Sequence, residues 1–467
     1  MKKPTINKQC LVLLMGCLFF FSTGFARISL PAIFADNMVL QQKTEVEVWG
    51  WGQPREKITI DFGWTDENQN IEVTNQGTWR TTVQTPTAGG PYTIEFKGSN
   101  EITLNNVLIG EVWICSGQSN MQWSANAGID NAALEIQMAN YPNIRFFSVH
   151  HRSATAPQID LEGNWEECSS ETMQNFSAIA YFFARKLQHN INVPIGLINS
   201  SWGGTPAEAW MPAEAITSNT RLAKAAEVLK PVPWGPVEVA RIYNAMIAPL
   251  HAFKLAGALW YQGESNTING EAYREMFGTL IESWRAKWGY DFPFYFAQIA
   301  PYKYGRPNEG AVIRDAQRRT LELPQTAMVV TSDIGDTTDI HPKNKQDVGL
   351  RLANLALANH YKSLATETSG PLFKRMVVKK NKVEVYFDHA EGLHYRGDQL
   401  THFEVAGKDQ IFHSAQASIE GDKVIVKSAA VARPTAVRFA WGNLATPNLF
   451  NAAGLPASCF TTTSKLD

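Results

Sequence analysis

The sequence predicts an α/β protein in which a central parallel sheet is flanked by two all-β regions. Three observations carry this reading. From about residue 106 to 365, short apolar runs alternate with segments of helical period, as in a parallel sheet whose strands are joined by helices. In 27–105 and again in 366–467, apolar and polar residues alternate between Gly- and Pro-containing turns, as in antiparallel sheets. Residues 1–26 fit neither pattern.

Those first residues read as a secretory leader. Lys2, Lys3 and Lys8 form a basic start, 11–21 an apolar run, and Gly24-Phe25-Ala26 a cleavage site before Arg27. Leu14-Met15-Gly16-Cys17 loosely resembles a lipoprotein site, but the apolar run continues past it through Leu18 to Phe21. A secreted or periplasmic protein with no membrane span is expected. Loss of the three lysines moves the formal charge of the 467-residue chain from −2 to −5. Mild acidity without a basic run argues against nucleic acid as a partner. Of five cysteines, Cys10 and Cys17 leave with the leader. Cys115, Cys168 and Cys459 allow one disulfide at most, and Cys115, inside an apolar run, reads as buried and inert.

The N-terminal β region is expected to hold strands at 45–50, 58–62, 79–83 and 92–96. It either buttresses the central sheet or binds carbohydrate. The central strands are expected at 107–115, 144–149, 195–199, 256–261, 294–299 and 328–332. Phe176, Ile179, Ala180, Phe183, Ala184 and Leu187 form the apolar stripe of one intervening helix. Tyr273, Met276, Phe277, Leu280, Ile281 and Trp284 form that of another, which Gly289 closes. A last helix, 345–360, carries Val348, Leu352, Leu355 and Ala356. Strands at 383–387, 424–426 and 437–440 build the C-terminal β region. No Gly-rich phosphate fingerprint follows any strand, so no nucleotide cofactor is expected.

Ligands of open α/β sheets bind beyond the carboxyl ends of the strands, and four loops there hold unusual residues. The first, Ser116-Gly117-Gln118-Ser119-Asn120-Met121, puts Ser119 on a sharp turn, as a nucleophile or a helix cap. In the second, Ser200-Ser201-Trp202-Gly203-Gly204-Thr205-Pro206, two glycines either leave backbone N–H groups free for an oxyanion or form an ordinary turn into a helix. In the third, Trp260-Tyr261-Gln262-Gly263-Glu264-Ser265-Asn266, the Gln262 amide ties loops together or donates to a reacting oxygen. The fourth, Asp333-Ile334-Gly335-Asp336-Thr337-Thr338-Asp339-Ile340-His341-Pro342, sets His341 near carboxylates that would stabilise its charged form. His150-His151, His389 and His394 lack a zinc-like partner set, so no metal is expected. Trp123, Trp202, Trp260 and Tyr261 are either sugar-stacking faces or core.

At these motifs the sequence resembles the sialate O-acetylesterase family of the SGNH hydrolase superfamily. The matching blocks are Gly117-Gln118-Ser119-Asn120-Met121, Trp202-Gly203-Gly204-Thr205-Pro206 with Glu208-Ala209-Trp210, the Gln262 loop and Ile340-His341-Pro342. Phe34-Ala35-Asp36-Asn37-Met38-Val39-Leu40-Gln41 matches before them. The resemblance implies a flavodoxin-like α/β/α catalytic domain between N- and C-terminal all-β domains. It implies a metal-free carbohydrate O-acetylesterase, acting on sialic acid esters or on an acetylated plant polysaccharide such as xylan or pectin. It makes Ser119 the nucleophile and His341 the base. The oxyanion donors would be the Ser119 N–H, Gly203 or Gly204, and Gln262. Asn120, Trp202, Glu264 and Asn266 would lie on the substrate side. The position three before the histidine, acidic in the superfamily, is Thr338 here. Asp339, Asp336 or a backbone carbonyl therefore orients His341, with Asp339 the first candidate. A lipase and a non-catalytic carbohydrate-binding protein are the competing readings.

Overall fold

The computed structural model describes residues 27–463, so the expected leader lies outside the described residues. One strand, Glu101–Gly117, organises the rest. In its first part buried and exposed positions alternate, and there it pairs antiparallel with Gly89–Lys97. From Val107 onward every residue is buried, as in the interior of a sheet covered on both faces. The expected boundary at 105/106 thus falls within a continuous strand.

The second part of this strand lies mid-sheet, in the order Thr326–Val329, Phe294–Ala297, Gly257–Tyr261, Glu101–Gly117, Ile195–Ser201, Tyr141–Ser148, Trp165–Cys168. All neighbours run parallel except the last pair. The six parallel strands lie where the apolar runs put them. Trp165–Cys168 was not expected: Trp-Glu-Glu-Cys is too short and too charged to read as a strand.

Helices cover both faces. On one, Trp113 meets Phe183 of helix Ala178–Ile191 and His360 beyond helix Lys345–Leu355, with ring centroids 5.1 and 6.0 Å away. On the other, Trp260 meets Phe277 and Trp284 of helix Gly270–Trp288. That helix ends at Gly289 with φ 78°, as its glycine predicted. A further helix, Glu309–Thr320, has a weak sequence signal because it buries Arg314, Asp315 and Gln317 along with its few apolar residues.

The N-terminal strands share one hydrophobic core with this sheet, whereas the C-terminal strands enclose a second core that includes Ala311. Cys115, Cys168 and Cys459 are buried free thiols, and burial pushes the pKa of each upward. Among the described residues, no helix is long and apolar enough to cross a membrane.

Register decides where the loops meet. Ser201, Gly117 and Tyr261 are side-by-side partners on three adjacent strands, so the first three motif loops leave the sheet at one level. Gly117 has φ 130°, and a Cβ there would lie 2.2 Å from the Tyr261 carbonyl oxygen. Only glycine permits this crossing.

Candidate active site

Ser119 opens the helical turn Ser119–Gln122, with Gln118 at the cap position and making no side-chain capping bond. Its hydroxyl is free of capping work and lies 2.8 Å from His341 Nε2. The Ser119 N–H has no acceptor among the described residues. The turn is pinned from outside: Gln118 Oε1 accepts from the backbone N–H groups of Gly263 (3.5 Å) and Ser265 (3.3 Å).

His341 arrives from the loop after Thr326–Val329. Its ring stacks on Trp123 with centroids 4.1 Å apart and planes 16° from parallel. Asp339 Oδ1 accepts from the His341 backbone N–H at 2.8 Å and stands 3.9 Å from Nδ1, an ion-pair distance too long for a hydrogen bond. Asp336 is engaged elsewhere: its Oδ1 accepts from the Thr338 N–H and hydroxyl. Of the two acids considered, Asp339 is the one beside the imidazole.

Burial holds the His341 pKa below the usual histidine value, the Lys345 charge lowers it further, and Asp339 opposes both. To act as a base His341 would have to be neutral, which would place the acid limb of kcat/KM below about pH 6.5. Asp339→Asn removes the raising influence and moves that limb to lower pH, while Asp336→Ala leaves it in place. A pH–rate profile of each variant checks this.

Two of the expected oxyanion donors have their hydrogens engaged by other groups. The Gly203 N–H donates to Gln122 Oε1 at 2.7 Å, leaving Gly204 as the glycine whose N–H has no acceptor among the described residues. The buried Gln262 amide spends both hydrogens, on the Thr205 carbonyl (3.2 Å) and Asn266 Oδ1 (2.7 Å), and its Oε1 accepts from the Tyr273 hydroxyl. Of the two roles open to Gln262, the structure has it tying loops together.

Two expected substrate residues are likewise buried and hydrogen-bonded to neighbouring loops. Asn266 is buried, accepting from the Ala207 N–H and donating to Glu208 Oε2 and Asn269 Oδ1. Asn120 is buried as well. Its NH₂ donates to Glu264 Oε1 (2.7 Å) and the Ile340 carbonyl (3.0 Å), and its Oδ1 accepts from Lys345 Nζ (2.5 Å). Hence Asn120 stitches the serine, glutamate and histidine loops together. Trp260 and Tyr261 are core residues.

Glu264, by contrast, lines the cleft that opens over Ser119 and His341, a space of about 810 Å³. Its Oε2 is buried with no partner among the described residues, as is the nearby Tyr304 hydroxyl. Trp202 also lines the cleft, one face covered by His151 at 4.2 Å and its Nε1 donating to the Trp234 carbonyl. Trp234 stands beside it and is 60% exposed. A larger groove of about 1100 Å³ lies in the C-terminal β region, but neither Ser119 nor His341 lines it.

Comparison with known proteins identifies the family. Residues 109–358 match the family described as carbohydrate esterase, sialic acid-specific acetylesterase. The chain belongs to this family. Sialate O-acetylesterase of Rattus norvegicus is 32% identical over 416 residues, covering 74% of this chain and 76% of the relative. That of Homo sapiens is 32% identical over 395 residues, covering 74% of each. A carbohydrate acetylesterase from Xanthomonas citri superposes with a TM-score of 0.86 at 36% identity, over 94% of this chain and all of that one. The expected family is therefore the observed one, and the chain is an esterase built on a mixed α/β core.

Lys345 and Trp234 escaped the sequence reading. A signal for Lys345 was present: it precedes Val348 and Leu352 by three and seven residues, which puts a lysine on the apolar face of its helix. Trp234 lies in a segment without periodicity, so nothing local marks it.

Proposed function

We propose that the chain is a secreted carbohydrate O-acetylesterase working through a Ser119–His341 acyl-enzyme mechanism, with O-acetylated sialic acid as its substrate. The 2.8 Å contact of Ser119 Oγ with His341 Nε2 at the mouth of the cleft carries this reading. His341 removes the Ser119 proton as Oγ attacks the acetyl carbonyl. The Ser119 and Gly204 N–H groups receive the oxyanion, and each such donor contributes about 3 kcal/mol. The tetrahedral intermediate then expels the sugar oxygen, which takes the proton back from His341, and water repeats the cycle on acetyl-Ser119. Asp339 steadies the imidazolium from ion-pair distance, and Glu264 and Trp202 face the sugar.

Several features support the wider reading. Without its two edge strands, Tyr141–Ser148 and Trp165–Cys168, the parallel sheet has the flavodoxin-like order 2-1-3-4-5, as an SGNH hydrolase domain would. We assign that domain to 106–365, β domains to 27–105 and 366–467, and secretion to the leader in 1–26. The names of the curated relatives favour sialic acid. An acetylated plant polysaccharide such as xylan or pectin is the second reading; the cleft lining carries the Glu264 carboxylate, which repels a sugar carboxylate, and Lys230, which could pair with one.

Acetate release from O-acetyl sialosides, acetylated xylan and acetylated pectin, with Ser119→Ala as the control, decides among these. Undiminished rates on long acyl esters would instead favour a lipase. Trp234 supplies an exposed indole for a sugar face. Trp234→Ala is expected to raise KM for the preferred glycan by about tenfold, the loss of about 1.4 kcal/mol of contact. The same variant should hydrolyse p-nitrophenyl acetate with wild-type KM.

A further inference from the structure

Lys345 is 1% exposed and stands in the first turn of helix Lys345–Leu355, where unpaired N–H groups already carry partial positive charge. Its ammonium has three donors, and its hydrogen bond is the one to Asn120 Oδ1. Burial pulls its pKa down to about 7 against the opposing charges of Glu264 and Asp339. A buried cation so poorly compensated costs stability, and an apolar side chain of similar length avoids that cost. The companions on its helical face, Val348 and Leu352, are ordinary core. Packing alone does not call for a lysine.

The surroundings identify what the charge acts on. Asn120, which anchors the ammonium, directly follows the nucleophile and also holds the Ile340 carbonyl beside His341. Lys345 Nζ lies 5.8 Å from the Trp123 ring centroid, and His341 stacks on that same ring. The titratable groups facing the ammonium are Glu264 from the third loop and Asp339 and His341 from the fourth.

We propose that Lys345 is a positioning residue whose buried charge drives the proton of protonated His341 onto the departing sugar oxygen. This rests on the esterase reading above. In acylation the Ser119 proton moves to His341 Nε2 as the Oγ–C bond forms. Collapse of the intermediate breaks the C–O bond to the sugar, and the Nε2 proton passes to that oxygen. A sugar alkoxide is a poor leaving group and needs this proton, whereas a nitrophenolate departs without it. A cation beside the imidazolium makes it a stronger acid and the neutral imidazole a weaker base. The arrangement therefore favours sugar esters over activated aryl esters. The charge is present below about pH 7 and fades above it, as Lys345 loses its proton.

The test compares Lys345→Met, Lys345→Gln and Lys345→Arg with the wild type on an acetylated oligosaccharide and on p-nitrophenyl acetate. In the two neutral variants, kcat on the sugar ester should fall about tenfold more than on the aryl ester. The acid limb of kcat/KM should move up in pH, and the His341 ring protons, followed by NMR, should titrate at correspondingly higher pH. Lys345→Arg, which keeps the charge, should retain more of the sugar-ester rate than either. Equal losses on both esters, or a His341 titration unmoved in the neutral variants, would overturn the proposal. A wild type inactive on every acetyl ester would overturn the esterase reading, a different result from lost leaving-group selectivity in an active enzyme.

Discussion

Ser119→Ala is expected to lower acetate release by about 10⁴-fold or more while leaving the fold intact. The hydroxyl makes one hydrogen bond, to His341 Nε2, and caps no helix, so its removal leaves no buried partner stranded. His341→Ala should cost about as much, and the double variant little more, because the pair acts as a unit and such losses do not add. Thermal denaturation should place the Ser119→Ala midpoint within about 1 °C of the wild type, a change of no more than about 1 kcal/mol for a chain of this length. Retention of acetate release in the variant would refute the nucleophile assignment, whereas no acetate release from the wild type would return weight to a non-catalytic carbohydrate-binding protein.

The parts of this molecule that read well from sequence are those where one physical cause acts alone. The six parallel strands are continuous apolar runs because they are covered on both faces, and no competing pattern obscures them. Helix Gly270–Trp288 shows its stripe and its closing glycine for the same reason. Ser119 and His341 were legible because a strand end fixes where each loop begins. Individual side-chain hydrogen bonds were not legible. Gln262, Asn266 and Asn120 stand in motif loops at strand ends, which is consistent with facing substrate. Whether an amide there faces substrate or a neighbouring loop depends on the partners the fold delivers, here Tyr273 from 11 residues away, Thr205 and Glu208 from 57 and 58, and Lys345 from 225. The same limit hid the exclusion of Gly203, whose N–H is claimed by Gln122 from 81 residues away.

Gln262→Leu is expected to show its main effect in stability, with about 2–4 kcal/mol lost. The side chain is buried and meets three groups: it donates to the Thr205 carbonyl and Asn266 Oδ1, and its Oε1 accepts from the Tyr273 hydroxyl. The fourth contact is through its backbone oxygen, which accepts from Gln317 Nε2 and is kept in the variant. Leucine fills similar space but leaves the Tyr273 hydroxyl short of one acceptor and Asn266 and Thr205 short of a donor, and each unsatisfied buried group costs about 1–3 kcal/mol. Some mutual relief is expected, since Tyr273 also reaches the Gln262 carbonyl oxygen at 3.0 Å. Had Gln262 instead donated to the oxyanion, the signature would reverse: kcat down about 10²–10³-fold with the denaturation midpoint held. Urea denaturation and kcat, measured on the same preparation, separate the two, because an oxyanion donor acts on the transition state and a loop tie acts on the folded state. A purely kinetic loss would restore Gln262 to the catalytic set and require one of its two present amide bonds to open when substrate binds.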